Sequence, residues 1–346
     1  MKFCRTLSPK KMNKRIFIWI FLFTALFFPL KVRIKAKAEK AVVSAAECVM
    51  ERKSRRILYE WHGDMRLPMA STTKIATAIT ALEGCPNVKE SFEIPYEAVG
   101  IEGSSIYLKV GETYSTEDLL YGLMLRSGND AAEALAYRFG GNIDGFALKM
   151  NQTAQKAGAL HTNFRNPHGL PCDGHYTTAR DLSLITAYAL ENSTFREIVG
   201  TKYYEARHWK NKNKMLFQYD GAIGVKTGYT KEAGRCLVSA ATKDGMELVC
   251  TVLNSPQMYE RSTQLLDDAF KVFSYEKIVD KKEIFTVDGQ ACCLRENVYY
   301  PLMQGEIDAI EILITPIKYS KKTEIIGQIE ISLAKRLIFS GNLYKL

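Results

Sequence analysis

Short β-prone runs occur near the start of the chain and again in its last third, and they flank a middle region with helical spacing. The runs Ala41–Met50 and Arg56–Trp61 enclose a charged pentapeptide, which is the pattern of a β-hairpin. Arg235–Thr242 and Met246–Asn254 are joined by Lys243-Asp244-Gly245, which indicates a second hairpin. Together they predict an antiparallel sheet built from both ends of one domain.

Between and after these hairpins, apolar residues recur at the three- and four-residue intervals of buried helix faces. Ser115 and Thr178 are each followed three residues later by an acidic residue, as helix N-caps often are. Gly84 and Gly158 stand just past predicted helix ends, where glycine is the commonest cap. Helices are predicted over residues 71–82, 115–125, 143–157, 178–192 and 256–273.

Strands at the start, a helical middle, and strands with a final helix predict an α+β domain over residues 41–275. Beyond Lys277 the short runs 283–287, 306–314 and 325–333 alternate polar and apolar residues. This alternation predicts a small all-β C-terminal domain over residues 280–346.

Residues 1–38 have the pattern of a signal peptide. A basic start precedes the apolar stretch Ile16–Leu30, and Ala36-Lys37-Ala38 fits the small-x-small rule of signal-peptidase sites. A helix of that length rises about 22 Å, short of a hydrocarbon core of about 30 Å. The basic residues that follow are unusual for a cleaved signal, so an uncleaved anchor stays open as the alternative. We expect an extracytoplasmic protein, either secreted or associated with the outer face of the cytoplasmic membrane or the cell wall.

The net charge of +9 belongs to this leader. Eleven of the 47 Lys and Arg residues lie in residues 1–40 beside one acidic residue, so 36 basic and 37 acidic side chains remain. A nearly neutral remainder gives no support for nucleic acid as a partner. The eight cysteines lack Cys-x-x-Cys spacing, so neither a zinc site nor a disulfide framework is predicted.

Ser71 and Lys74 are the first pair of residues with catalytic chemistry. A base three residues after a serine on a helix lies one turn away on the same face, where it can remove the hydroxyl proton. Burial or a second cation would lower the pKa of Lys74 enough for that role. In the alternative interpretation Ser71 is only an N-cap and Lys74 an exposed helix residue.

Two further short strings could complete such a site. Ser127-Gly128-Asn129 supplies a hydroxyl and a carboxamide, although the same residues also suit a turn. Lys226-Thr227-Gly228 follows the β-prone run Ala222–Val225, which places a cation and a hydroxyl on a strand. An ordinary edge-strand lysine is the alternative for Lys226.

The three strings together, in this order, resemble the penicillin-recognising serine enzymes. The longer strings Ser-Gly-Asn-Asp-Ala-Ala (127–132) and Lys-Thr-Gly-Tyr-Thr (226–230) are similar to serine-type D-alanyl-D-alanine carboxypeptidases, the low-molecular-mass penicillin-binding proteins. The resemblance implies a β-lactamase/transpeptidase-like fold, with an antiparallel sheet, packed helices and a helical subdomain.

Site roles follow from the resemblance. Ser71 would be the nucleophile, Lys74 the general base and Ser127 part of the proton path. The backbone N–H groups of Ser71 and Tyr229 would form the oxyanion hole. Substrate binding would fall to six residues: Asn129, Lys226, Thr227, Gly228, Tyr229 and, for the terminal carboxylate, Arg261.

The function that the resemblance implies is removal of the terminal D-alanine from peptidoglycan stem pentapeptides, with β-lactams as covalent inhibitors and no metal or organic cofactor. A DD-endopeptidase acting on cross-links and a non-catalytic wall-binding protein are the alternatives. His168 and His175 invite a Ser-His-Asp interpretation, but no serine lies in a Gly-x-Ser-x-Gly elbow. We expect these histidines to order a loop near the site.

Overall fold

A computed structural model describes residues 3–5, 44–317 and 324–346. The predicted leader lies outside the described residues except for Phe3–Arg5. No helix in the described ranges is both long and apolar enough to cross a bilayer. The chain divides into a larger unit, 42–279 with 297–304, and a smaller unit that contains 280–296 and 305–346.

Strands and helices are numbered in chain order. The strands are β1 Phe3–Arg5, β2 Ala46–Glu51, β3 Ile57–Trp61, β4 Ser91–Glu93, β5 Thr113–Ser115, β6 Tyr203–Tyr204, β7 Trp209–Lys210, β8 Ala222–Thr230, β9 Gly234–Lys243, β10 Met246–Leu253, β11 Phe273–Val279, β12 Phe285–Val287, β13 Gln290–Cys293, β14 Val298–Met303, β15 Ile310–Pro316, β16 Ile325–Leu333 and β17 Arg336–Lys345. The helices are α1 Lys74–Glu83, α2 Thr116–Tyr121, α3 Asn129–Gly140, α4 Ile143–Lys156, α5 Ala179–Ala189, α6 Ser193–Gly200, α7 Met215–Gln218 and α8 Met258–Val272.

The larger unit is built on a five-stranded antiparallel sheet in the order β3-β2-β10-β9-β8. Both predicted hairpins are confirmed, and β8 lies at an edge of this sheet. The side chains of β2 alternate: Cys48 and Met50 join the main core with α1, whereas Val49 packs in the cluster on the α8 face. Both faces are therefore covered, as expected for an α+β domain.

Local cap signals account for several helix starts. The Ser115 hydroxyl accepts a hydrogen bond from Asp118 N at 3.0 Å, and the Thr178 hydroxyl accepts one from Asp181 N at 3.0 Å. These bonds satisfy backbone donors that a helix start otherwise leaves free. The predicted α+β class is confirmed.

The helical region departs from prediction at two places that matter for the site. Ser71 lies in a 3-10 turn, Ala70–Thr73, and the α-helix begins only at Lys74. A π-helical turn, Gly122–Arg126, follows α2 and ends at Ser127 in a left-handed conformation with φ 66°. The chain then enters α3 at Asn129, where no helix was predicted and a turn was the alternative interpretation.

Antiparallel pairing dominates the smaller unit, whose sheet has the order β1-β15-β16-β17-β13-β12. Its all-β character agrees with the prediction. One part of the predicted range 280–346 groups elsewhere: residues 297–304 belong to the larger unit, because β14 pairs with β11.

Candidate active site

Ser71 and Lys74 come within hydrogen-bonding distance where the 3-10 turn meets α1. Lys74 Nζ lies 3.0 Å from Ser71 Oγ, 2.6 Å from Asn129 Oδ1 and 2.9 Å from the His168 carbonyl oxygen. The Lys74 side chain is completely buried, whereas Ser71 is partly exposed. The site therefore has a partly exposed Ser71 hydroxyl in hydrogen-bonding contact with the buried amine of Lys74.

Two glycines allow the backbone to close tightly around Ser71. A Cβ at Gly228 would lie 3.0 Å from the backbone nitrogens of both Ser71 and Thr72. A Cβ at Gly169 would lie 1.9 Å from the Ala70 carbonyl oxygen, and the φ of Gly169 is +86°. Only glycine permits both approaches, so β8 and the 166–170 loop can hold the serine turn from two sides.

The electrostatic setting of Lys74 favours its neutral form. Burial lowers the pKa of Lys74 well below its ordinary value, and the nearby positive charge of Lys226 lowers it further. Asp130 acts in the opposite direction but is not the dominant influence.

Ser127 and Lys226 form the second pair. The left-handed conformation of Ser127 turns its hydroxyl toward β8, where Lys226 Nζ lies 3.1 Å from Ser127 Oγ and 2.8 Å from the Thr227 carbonyl oxygen. Burial, with a smaller contribution from Lys212, lowers the pKa of Lys226 to about 7. Two lysines and two serines thus meet at the junction of α1, the π-turn and β8.

The carboxamide of Asn129 connects this junction to a surface loop. Its Oδ1 accepts from Lys74, and its Nδ2 donates to the Glu102 carbonyl oxygen at 2.5 Å. The same residue's backbone N–H donates to the Ser104 carbonyl oxygen at 2.7 Å. The 102–104 segment is therefore fixed beside the reactive groups.

A cavity of about 260 Å³ opens at Ser71. The predicted residues Ser127, Thr227, Gly228 and Tyr229 line it. Sequence reasoning missed four polar residues in its wall: Ser104, Lys212, Tyr259 and Arg235. The register of the β8–β9 hairpin, where Tyr229 faces Arg235, could have indicated the last of them.

Arg261 is not brought into this cavity, which corrects its expected placement. Its guanidinium makes a bidentate ion pair with Glu47 of β2, with both N–O distances at 2.7 Å. Further hydrogen bonds go to the Tyr59 hydroxyl at 3.3 Å and to Gln264 Oε1 at 2.9 Å. Since Glu47 is only 2% exposed, this pair is part of the packing between α8 and the sheet.

His168 and His175 lie beside the site with their ring nitrogens committed. His168 Nδ1 accepts from Leu170 N and its Nε2 lies 3.1 Å from Glu133 Oε1. His175 Nδ1 accepts from Arg165 N and its Nε2 lies 2.9 Å from the Thr73 hydroxyl. Burial lowers the pKa of His175 to about 4, so it stays neutral. Both histidines order loops, and the described residues contain no cluster of three or more His, Cys, Asp or Glu arranged to hold a metal ion.

Comparison with known proteins identifies relatives of most of the larger unit. The family model described as D-alanyl-D-alanine carboxypeptidase matches residues 33–257. A D-alanyl-D-alanine carboxypeptidase of a Streptomyces species is 38% identical over 241 residues, which cover 63% of this chain and 81% of the relative. The carboxypeptidase DacF of Bacillus subtilis is 31% identical over 263 residues, covering 72% of this chain and 68% of the relative.

Solved structures agree in fold. Penicillin-binding protein 5 of Haemophilus influenzae superposes with a TM-score of 0.74 at 25% identity, over 88% of this chain and 97% of that one. The likeness therefore extends beyond the larger unit.

Proposed function

The chain belongs to the D-alanyl-D-alanine carboxypeptidase family, and on that premise we propose that it releases the terminal D-alanine of peptidoglycan stem pentapeptides through a Ser71 acyl-enzyme. The single observation that carries this proposal is the set of three contacts at Lys74 Nζ. A neutral amine has two N–H donors and one lone pair, and two of the three contacts are carbonyl oxygens that can only accept. The lone pair of a neutral Lys74 is thus left for the Ser71 hydroxyl.

Acylation joins the substrate to Ser71 and releases D-alanine. Lys74 takes the Ser71 hydroxyl proton as Oγ attacks the carbonyl carbon of the penultimate residue. The tetrahedral intermediate collapses, the peptide C–N bond breaks, and the proton held by Lys74 passes through the Ser127 hydroxyl to the leaving D-alanine nitrogen, which returns Lys74 to its neutral form. Lys226, within 3.1 Å of Ser127 Oγ, holds that hydroxyl in position.

Stabilisation of the intermediate falls to the backbone. We assign the oxyanion hole to the N–H groups of Ser71 and Tyr229, and the tight approach at Gly228 supports this assignment. Water then attacks the acyl carbon as the neutral Lys74 accepts its proton, and Lys74 returns that proton to Ser71 Oγ as the acyl C–O bond breaks, which restores the free enzyme. Asn129, held by Lys74 and Glu102, positions the substrate's peptide carbonyl.

The family acts on peptidoglycan peptides and binds β-lactams, so its chemistry takes place outside the cytoplasm. We propose that residues 1–38 direct export and that the mature chain works at the outer face of the cytoplasmic membrane or in the cell wall.

Labelling with a fluorescent penicillin tests the nucleophile. We expect stable labelling of the intact chain, none of Ser71→Ala, and a mass increase on the tryptic peptide that contains Ser71. Release of D-alanine from a pentapeptide and from a cross-linked dimer, measured in parallel, separates carboxypeptidase from endopeptidase action. Labelling that persists in Ser71→Ala, or turnover of the dimer alone, would contradict the proposal.

A further inference from the structure

A carboxyl group that the proposed mechanism does not use lies buried one helical turn after Asn129. Glu133 belongs to α3 and is 7% exposed, and its sequence neighbours are fully buried apolar residues: Ala131, Ala132, Ala134 and Leu135. A carboxyl group in apolar surroundings costs stability unless a polar partner meets it. That partner is the ring of His168, whose Nε2 lies 3.1 Å from Glu133 Oε1.

The His168 ring presents its N–H to Glu133. The other ring nitrogen, Nδ1, accepts a hydrogen bond from Leu170 N at 3.1 Å, so the ring proton is on Nε2. The backbone of the same histidine reaches the active site, because its carbonyl oxygen lies 2.9 Å from Lys74 Nζ. His168 therefore links Glu133 to the general base.

Two oxygens from different elements take the N–H donors of Lys74. Asn129 Oδ1, at the start of α3, is 2.6 Å from Nζ, whereas the His168 carbonyl oxygen belongs to a loop. The direction of the lone pair is fixed only if these two oxygens keep their positions relative to each other. Residues four apart on a helix share a face, so Asn129 and Glu133 meet the site from one side of α3. The contact between Glu133 and His168 thus ties the second oxygen to the helix that carries the first.

Other hydrogen bonds hold this loop to itself and to α1. Asn166 Oδ1 accepts from His168 N at 3.3 Å and from Gly169 N at 2.7 Å. The Thr77 hydroxyl of α1 donates to the Pro167 carbonyl oxygen at 2.5 Å. Loss of the contact with α3 should therefore shift the loop relative to α3 without unfolding it.

We propose that Glu133 is a positioning residue for acylation: through His168 it holds the carbonyl oxygen that, together with Asn129, directs the Lys74 lone pair at Ser71. This inference rests on the proposed function, because it takes Lys74 as the base. Glu133 is not among the residues that line the active-site cavity. Its effect is therefore on the rate of proton removal from Ser71 and not on the binding of the ligand.

Single-turnover acylation by benzylpenicillin separates the dissociation constant of the initial complex from the first-order rate constant of acylation. Glu133→Met removes the polar contact while keeping a helix-forming side chain, and the rate constant should fall about 10- to 100-fold with the dissociation constant unchanged. Glu133→Gln keeps an oxygen acceptor and should stay within about threefold of the wild type. The amplitude of acylation gives the folded fraction, so a loss of stability alone would lower the amplitude and leave the rate constant unchanged.

Glu83→Met is the matched control. Glu83 ends α1 at the opposite end of the helix from Lys74, and its carboxylate accepts from the Tyr188 and Thr153 hydroxyls and from Lys156. This variant loses more hydrogen bonds than Glu133→Met but none that reaches Lys74. It should lower the free energy of unfolding and leave the rate constant of acylation unchanged.

A double-mutant cycle tests the route through His168. His168→Asn keeps an acceptor for Leu170 N and removes Nε2, so it should slow acylation as Glu133→Met does, and the combined variant should be no slower than either one alone. Additive losses, a wild-type rate constant in Glu133→Met, or a Glu133→Gln enzyme as slow as Glu133→Met would overturn the inference. If the chain is acylated but releases no D-alanine from peptides, the proposed function fails while these rate constants still decide the role of Glu133.

Discussion

At the residue scale, Gly228 sets how closely β8 approaches the nucleophile. A Cβ there would lie 3.0 Å from two backbone nitrogens and 3.1 Å from the Met69 carbonyl oxygen. Backbone atoms cannot rotate away as a flexible side chain can, so Gly228→Ala must displace β8 from Ser71. We expect penicillin acylation to slow at least tenfold, with a loss of about 1–3 kcal/mol in the free energy of unfolding.

Gly84→Ala is the matched control for that substitution. The nearest atom to a Cβ at Gly84 is a Phe139 ring carbon at 3.5 Å, which is ordinary contact. This variant should acylate at the wild-type rate. Stopped-flow measurement gives the rate of penicillin acylation, and denaturant unfolding gives the free energy of unfolding. Acylation of Gly228→Ala at the wild-type rate would contradict the close approach of β8 to Ser71.

The charge of Lys226 should be visible in the pH dependence of acylation. Acylation needs neutral Lys74, so the rate falls as pH drops through the pKa of Lys74. Burial lowers that pKa most, and the Lys226 cation contributes next. Lys226→Gln removes the second cause, so the pKa of Lys74 rises and the acid limb of the rate profile moves to higher pH.

The position of this limb does not depend on how much the rate itself falls. Lys231→Gln removes an exposed cation from the β8–β9 turn that is not among the charges acting on Lys74, and it should leave the limb in place. A Lys226→Gln profile that coincides with the wild type would exclude this electrostatic coupling.

At the element scale, the start of α3 holds the loop that walls the cavity. Asp130 is 1% exposed, and its carboxylate accepts from the Ser105 hydroxyl and from Ile106 N, Leu108 N and Ala131 N. In Asp130→Asn one acceptor becomes a donor that faces these N–H groups. We expect a loss of about 1–3 kcal/mol in stability and faster proteolysis within residues 101–110.

The comparison variant for the loop is Asp144→Asn, an equally isosteric change at an exposed position in the first turn of α4. It should change the free energy of unfolding by no more than a few tenths of a kcal/mol and should leave the rate of proteolysis within residues 101–110 unchanged. Equal stability of Asp130→Asn and wild type would remove the anchoring role of this carboxylate.

Elements with local signals were predictable from the sequence, and elements fixed by distant contacts were not. The caps at Ser115 and Thr178 act within four residues, so the helices they start were found. Gly128 and Asn129 favour a turn locally, yet α3 begins at Asn129 because distant partners, Lys74 and Glu102, hold that residue. Residues 297–304 group with the larger unit for the same kind of reason, since their partner is β11.

The candidate site shows the same division. Ser71, Lys74, Ser127 and Lys226 were selected by short strings, and the structure brings their polar atoms to within 3.1 Å in two pairs. Arg261 was misplaced because its partner Glu47 is 214 residues away in the chain, which spacing cannot reveal. Arg235 could be identified only from the pairing of β8 with β9, which fixes the face of the hairpin on which its side chain lies. No short sequence motif marks this residue.

At the scale of the whole molecule, buried lysines and buried thiols give stability opposite dependences on pH. The pKa of Lys226 is about 7 when folded and about 10.4 when unfolded, so in between the unfolded chain binds one more proton. Stability therefore rises with pH across that window, by at most about 1.4 kcal/mol per pH unit, and Lys74 acts in the same direction. Burial raises the pKa of Cys48 and Cys250 to about 12 and of Cys236 to about 11.

An unfolded thiol ionises near pH 8.5, so above that pH the folded state holds more protons at all three cysteines and the contribution of the thiols to stability falls as pH rises. The thiols oppose the lysines in this range, and stability is greatest where the opposing contributions cancel. Lys226→Met should reduce the rise between pH 7 and 8.5 by up to about 1.4 kcal/mol per pH unit in denaturant unfolding, whereas Lys271→Met, at an exposed site of α8, should not. Cys250→Ala should move the maximum to higher pH, because one opposing group is gone. A wild-type slope in Lys226→Met would mean that Lys226 remains charged in the folded protein, and its assignment as a low-pKa partner of Ser127 would fail.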